Sequence, residues 1–208
     1  MILIGQYDSP FVRRVGIALT LYGMAFEQRP WSVFSDVEAL RAYNPLVRVP
    51  TLVLEDGEVL VESHMILDYL DGIVGPDKAM FPAREPDRHR ALKVSALGMG
   101  LADKAVSLLY EQRLHGKVSD LWVDRCRTQI AGVLGVLEAD RAQRSSAYWF
   151  GDRLGHADIA VTVALRFLSE AHAGLFSQEQ YPALARHADR MEALPVFRAI
   201  SQPLKAPS

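Results

Sequence analysis

The sequence predicts an α/β domain followed by an all-helical domain. Three observations carry that expectation. A short apolar run, Ile2-Leu3-Ile4, leads into an amphipathic stretch with helical spacing. Two β-rich runs flank Glu55-Asp56-Gly57, the pattern of a hairpin. Beyond a tract of breakers at 75–90, apolar residues recur at helical spacing almost to the end of the chain.

Ile2-Leu3-Ile4, closed by Gly5, reads as a buried strand. Ser9-Pro10 then supplies an N-cap and a proline at the first helical position. Phe11, Val15, Ala18, Leu19 and Tyr22 form the apolar stripe of that helix, and Gly23 is placed to end it. Phe26–Arg29 is a second strand closed by Pro30. Ser35-Asp36 precedes a short helix through Leu40 and Tyr43, which Asn44-Pro45 stops. Thr51–Leu54 and Glu58–Val61 are the hairpin strands. A helix from Ser63 follows, with Ile66, Leu67 and Leu70 inward. The order β-α-β, α, β-β-α matches a thioredoxin-like domain, set at residues 1–78, with a linker at 79–87. In the helical domain, 88–208, helices are expected near Asp87–Leu114, Val118–Arg144, His156–His172, Pro182–Leu194 and Val196–Ser201. The tail from Pro203 reads as a loose end or a surface strap.

The 208 residues are ample for a core, half are apolar, and the formal net charge is −2. That balance argues against a nucleic-acid binder, which carries a basic face. A single cysteine, Cys126, excludes an intrachain disulfide and fits a reducing compartment. The first residues lack the basic and long apolar segments of a signal peptide, and no apolar run is long enough for a membrane span. A cytoplasmic protein with no membrane partner is expected. The six histidines show no metal-ligand spacing, so no metal is expected.

Three short segments carry the functional signal: Ser9-Pro10-Phe11-Val12-Arg13, Arg48-Val49-Pro50 and Glu62-Ser63. With the two-domain pattern, they resemble the glutathione transferase superfamily over the whole chain. Tyr7–Arg14 is most similar to its bacterial serine- or cysteine-type members. Asn44–Pro50 resembles the family's Asn-Pro-x-Gly-Lys-Val-Pro stretch, with Val47 for the glycine and Arg48 for the lysine. Glu62–Ile66 matches its Glu-Ser-x-x-Ile. Gly151–Ala160 resembles its Gly-Asp-x-x-Thr-x-Ala-Asp-Ile segment, with Gly155 where Ser or Thr would cap the helix and Asp158 still able to serve that helix end.

The resemblance implies glutathione as cosubstrate, a small electrophile as its partner and a homodimer. It places Ser9 at the position that activates the thiol. A free thiol has a pKa of about 8.5, and a helix N-terminus together with a hydroxyl donor lowers it. A shift of about two units corresponds to roughly 2.7 kcal/mol. Tyr7 is the rival, since tyrosine-type members put their hydroxyl near the end of the first strand. Phe11, Arg48, Val49, Pro50, Glu62 and Ser63 would form the rest of the glutathione site. The Val49-Pro50 bond would be cis, exposing the Val49 backbone for pairing with the cysteinyl unit. Glu62 would meet the ammonium and Ser63 the carboxylate of the γ-glutamyl end, with Arg48 facing the glycine carboxylate. The same residues also suit plain roles: a helix cap at Ser9, a strand-entry proline, a capped helix at Glu62-Ser63 and a solvated Arg48.

For the electrophile, the resemblance points to Trp31, Phe34, Lys104 and Leu108. Cys126 is expected to be a mid-helix residue without chemistry. Three activities stay open on this scaffold. One is conjugation, dehalogenation or peroxide reduction by a glutathione transferase. A second is a glutathione-dependent disulfide reductase, and a third is a noncatalytic binding protein.

Overall fold

The computed structural model describes residues 1–205. Residues 206–208, the end of the expected tail, lie outside the described residues. The chain divides into two compact units. One is Met1–Met80 with Pro195–Pro203, and the other is Phe81–Leu194 with Leu204 and Lys205.

The first unit holds β1 (Ile2–Ile4), α1 (Pro10–Leu21), β2 (Glu27–Arg29), α2 (Val37–Arg41), β3 (Thr51–Val53), β4 (Val59–Val61) and α3 (Ser63–Val74). The short α8 (Pro195–Ala199) joins it from the far end of the chain. The sheet order is β2-β1-β3-β4, with β1 parallel to β2 and antiparallel to β3, and β3 antiparallel to β4. Side chains alternate across it, as strand geometry requires. Leu3 and Leu52 face one core with Val12, Val15 and Leu19 of α1 and Ile66, Leu67 and Leu70 of α3. Ile4 and Val53 face the other, over Leu40 of α2. The helix expected from Ser35-Asp36 begins at Val37, and Asp36 does not cap it with its side chain. Its carboxylate instead accepts from Ser32 N and Ser35 Oγ, both at 2.8 Å, so the acid closes the preceding loop.

α8 is tied to α1 by Arg13, which is 3% exposed. Its Nε donates to Ile200 O and its Nη2 to Phe197 O, each at 2.8 Å, satisfying carbonyls that the end of a short helix leaves free. Arg13 had read from the sequence only as part of the α1 motif.

The second unit is helical: α4 (Asp87–Leu114), α5 (Asp120–Ala142), α6 (His156–Ala171) and α7 (Pro182–Glu192). α6 is the central helix, buried along most of its length. α5 starts two residues later than the periodicity suggests, because Ser119 caps it: its Oγ accepts from Trp122 N, and its own N–H donates to Glu111 at 2.7 Å. Glu138 of α5 accepts from Ala183 N and Leu184 N at the start of α7, both at 2.9 Å, an anion set against a helix N-terminus. Asp158 performs a related task for α6. Its carboxylate accepts from Gly155 N at 2.9 Å and from Trp149 N at 2.8 Å. No helix among the described residues is long and apolar enough to cross a membrane.

Candidate functional site

The topology alone brings the three sequence segments together. Ile4 pairs with Thr51, and Thr51 pairs with Val61. The C-terminal end of β1, the start of β3 and the C-terminal end of β4 therefore share one edge of the sheet. The loop to α1, the turn before β3 and the start of α3 all leave from that edge.

Ser9 is the N-cap of α1, with extended backbone at φ −69° and ψ 121°, and its Oγ accepts from Val12 N at 3.4 Å. It is half-buried, and an accepted bond leaves the hydroxyl proton able to donate outward. Pro10 follows at the first helical position. Phe11 lies half-buried in the same turn. Tyr7 is half-buried. Its ring packs over Gly16 of α1, where a Cβ would come within 2.8 Å of Cε1, and it belongs to the core under α1 and α3. Burial pushes its phenol above its ordinary pKa.

The Val49-Pro50 bond is cis. Val49 comes against Gly5, the residue just after β1, which has φ +133°. A Cβ at Gly5 would lie 2.4 Å from Val12 Cγ2 and 2.9 Å from Val49 Cβ, so only glycine fits between the turn and the helix. The turn is braced from behind by Asn44, which is 1% exposed. Its Nδ2 donates to Arg48 O at 3.0 Å and to Thr51 Oγ1 at 3.1 Å, and Thr51 Oγ1 donates to Arg48 O at 3.0 Å. The sequence presents Asn44 as a helix stop and the head of the stretch that resembles the family's, and Thr51 as a strand residue; neither reading contains the brace, because their bonds run to a carbonyl that no side-chain pattern reveals.

Glu62 stands just before α3 at φ +65°, a left-handed conformation uncommon for a residue with a Cβ. It makes no side-chain cap of α3. Ser63 begins the helix and is 2% exposed. Arg48 and Glu62, both exposed, pair at 3.0 Å. The first N–H groups of α3 have no intrahelical acceptor, as at any helix start.

Of the residues expected to meet an electrophile, Trp31 is packed rather than open. Its ring lies 5.9 Å from that of Tyr43, and the Arg29 guanidinium lies over it at 5.6 Å. Phe34 is 46% exposed. In the helical unit, Lys104 pairs with Asp103 at 2.9 Å and lies over the Trp122 ring at 5.8 Å. Leu108 is 1% exposed and belongs to that unit's core. Cys126 is fully buried, and burial pushes its thiol up, away from reactivity. Among the described residues, no group of three or more His, Cys, Asp or Glu is arranged to hold a metal. A cavity of about 320 Å³ in the first unit, lined by Met1, Met24, Leu54 and Tyr69, opens at the opposite edge of the sheet from Ser9.

Two family models match the chain. One describes the glutathione S-transferase N-terminal domain and covers residues 3–78. The other describes the glutathione S-transferase C-terminal domain and covers residues 120–190. An uncharacterized GST-like protein of Escherichia coli K12, YibF, is 31% identical over 170 residues, 81% of this chain and 82% of that one. A maleylacetoacetate isomerase of Pseudomonas aeruginosa is 29% identical over 209 residues, 95% of this chain and 94% of that one. Among solved structures, a glutathione S-transferase of Methylobacterium radiotolerans in complex with glutathione sulfonate is similar at TM-score 0.89 and 30% identity. It covers all of this chain, which covers 98% of it. A glutathione transferase family member of Pseudomonas fluorescens Pf-5 with bound glutathione is similar at TM-score 0.82 and 30% identity, covering 98% of this chain and 99% of that one.

Proposed function

This chain belongs to the glutathione S-transferase family, and from that premise we propose that it binds reduced glutathione at the sheet edge built by Ser9, Val49-Pro50 and Glu62-Ser63. There it lowers the pKa of the thiol for attack on a small electrophile. The observation that supports this most is the convergence of two helix N-termini and the cis-proline turn before β3 at one end of a single sheet. A peptide carrying a thiol and terminal charges suits that arrangement, because each element answers one part of it.

The thiol sits at α1. The unpaired N–H groups there favour an anion, and Ser9 donates its hydroxyl proton to the sulfur. A hydrogen bond to a charged group contributes about 1.5–3 kcal/mol. That alone lowers a pKa by about one to two units, and the helix end adds to it. The Val49 backbone pairs with the cysteinyl unit as an added strand. Ser63 and the free N–H groups of α3 take the γ-glutamyl carboxylate, and Glu62 takes the ammonium. The glycine carboxylate goes to Arg48. The Arg48–Glu62 pair does not oppose this, since an exposed ion pair is worth about 0–1 kcal/mol and gives way to two new partners.

With an aryl halide, the sulfur–carbon bond forms as the carbon–halogen bond breaks. Halide leaves, and the thiol proton goes to solvent. Phe34, half exposed, is the apolar group that the first unit offers such a substrate. A homodimer fits the same reading. α3 carries Met65, Tyr69 and Ile73 at one-turn spacing, 62%, 41% and 53% exposed, a stripe suited to a second copy.

Calorimetry with reduced glutathione, followed by turnover of an aryl halide, a peroxide, a small disulfide and maleylacetoacetate, tests the reading. Saturable 1:1 binding per chain with turnover in any arm is expected. Absence of glutathione binding overturns the proposal, and binding without any turnover reduces it to a noncatalytic glutathione-binding protein.

A further inference from the structure

α1 carries two adjacent buried arginines with opposite fates. Arg13 is fully engaged with carbonyls around α8. Arg14 is 0% exposed and finds almost nothing. Its Nη1 reaches Ser63 Oγ at 3.5 Å, a long contact, and its Nε and Nη2 have no hydrogen-bond partner among the described residues. No carboxylate among those residues pairs with it.

A buried, unpaired cation is among the least favourable elements a core can hold. Burial pushes the Arg14 pKa down to about 9, and the group still remains a cation at neutral pH. The charge is aimed at one place, the first residue of α3. That helix start has no side-chain cap, and Glu62 just before it is held at positive φ. A buried guanidinium, a buried hydroxyl and free helix N–H groups thus converge, while the adjacent carboxylate, Glu62, is exposed and pairs with Arg48 instead.

We infer that Arg14 is a positioning residue whose missing counter-ion is the α-carboxylate at the γ-glutamyl end of glutathione. This rests on the glutathione reading above and adds to it a determinant behind the surface. Arg14 acts through Ser63. By donating Nη1–H to Ser63 Oγ, it fills an acceptor position of the hydroxyl and turns the hydroxyl's own proton toward the ligand. Its charge is compensated when the carboxylate docks. The ammonium, the thiol and the glycine end lie outside this arrangement, so the effect is specific to one group of the peptide.

The test is a cycle between protein and ligand. Wild type, Arg14→Met and Arg14→Lys are titrated with glutathione and with 4-aminobutyryl-cysteinyl-glycine, which lacks only that carboxylate. Glutathione should bind at least tenfold more weakly to Arg14→Met. The shortened peptide, weaker on the wild type from the outset, should change less than twofold. Arg14→Lys should recover part of the glutathione affinity, since it restores the charge. Equal losses for both peptides would mean that Arg14 only supports the packing of α1 on α3, and the inference would fall. No loss for either would overturn it too. Should Arg14→Met not fold, Arg14→Gln removes the charge while keeping a donor for Ser63, and the same ratio of the two peptides decides. Wild-type protein that bound neither peptide would overturn the glutathione reading itself, an outcome distinct from the others.

Discussion

Asp158→Ala probes the buried carboxylate at the start of α6. Asp158 is 1% exposed and accepts from two backbone donors, Trp149 N and Gly155 N. His187, also buried, places Nε2 at 3.4 Å from its Oδ1, while His187 Nδ1 faces Arg190 Nη2 at 3.2 Å. Removing the carboxylate strands two N–H groups. Each stranded donor costs about 1–3 kcal/mol, and water entering at the loop side relieves one of them in part, so the loss at pH 7 should be about 2–4 kcal/mol. For a chain of this length that lowers Tm by about 4–16 °C.

The pH dependence is the sharper test. Burial, offset in part by the two N–H bonds and by Arg141 and Arg190, raises Asp158 from 3.8 to about 6. Burial, then the charges of Arg141 and Arg190, lowers His187 from 6.5 to about 3. Between pH 4 and 6 the folded protein therefore carries a proton on Asp158 and none on His187. The unfolded chain carries one on His187 and none on Asp158. Proton counts match, and the pair adds almost no slope to stability in that window. In Asp158→Ala only the histidine remains. The unfolded state then binds the extra proton, and stability should rise with pH by about 1.4 kcal/mol per unit relative to wild type. The variant should be worst in acid, by about 3 kcal/mol more at pH 4 than at pH 6. His187→Leu should show the opposite relative slope. Urea unfolding at half-unit steps from pH 4 to 7 measures both. A destabilisation in Asp158→Ala that is constant, or that shrinks on acidification, would refute the proton assignment.

Three further perturbations bear on the site. Ser9→Ala should lower Tm by about 2–4 °C through the lost cap, raise the bound-thiol pKa by one to two units and cut turnover near pH 7 by about 10–100-fold, whereas Tyr7→Phe should keep the wild-type pH–rate profile; the reverse pattern would transfer the role to Tyr7. Glu62→Ala and Glu62→Gly should each weaken glutathione binding by about 1–3 kcal/mol in calorimetry, yet the glycine variant should be the more stable of the two by about 1 kcal/mol because the backbone stands at φ +65°. At Val47, with φ +51°, the glycine variant should likewise outrank the alanine one by about 1 kcal/mol in thermal melts, and equal melting of the two would show that the conformation relaxes without cost.

Much of the first unit was legible because its signals are local. Proline at the first helical position, glycine after α1 and β-branched runs around Gly57 act within a few residues of themselves, and the elements lie where they point. The long α4 matched its periodicity from Asp87 to Leu114 for the same reason. What escaped was long-range or borne by the backbone. Arg13 and Arg14 are neighbours of one type, and only the fold separates a carbonyl clamp from a buried cation. Asn44 and Thr51 act on the carbonyl of Arg48, so nothing in their own identities announced a brace. Leu108, on a helix face read as open to a substrate, is closed off by packing that periodicity does not resolve.

The departures from the family's pattern leave intact what each position does through its backbone. At position 48 the part that holds the turn is the main-chain carbonyl, which accepts from Asn44 and Thr51, and any side chain presents that carbonyl equally. At position 47 the backbone keeps a left-handed conformation that glycine would adopt freely. Valine bears it because its side chain packs beside Ile4, Leu40 and Val53, and burying half a valine contributes roughly 1 kcal/mol, comparable with the strain of that conformation. At position 155 glycine has no hydroxyl to cap α6, but Asp158 binds Gly155 N, and a Ser-to-Gly change at an N-cap costs only a few tenths of a kcal/mol. Ser9 and Ser63 differ from all three, since each presents a hydroxyl that a backbone atom cannot replace. Within the fold, the Ser9 hydroxyl caps α1 and the Ser63 hydroxyl meets Arg14. Both hydroxyls keep a proton to donate outward. Together with the buried Arg14 charge, they set the expectation that this end of the sheet receives an anion-bearing peptide.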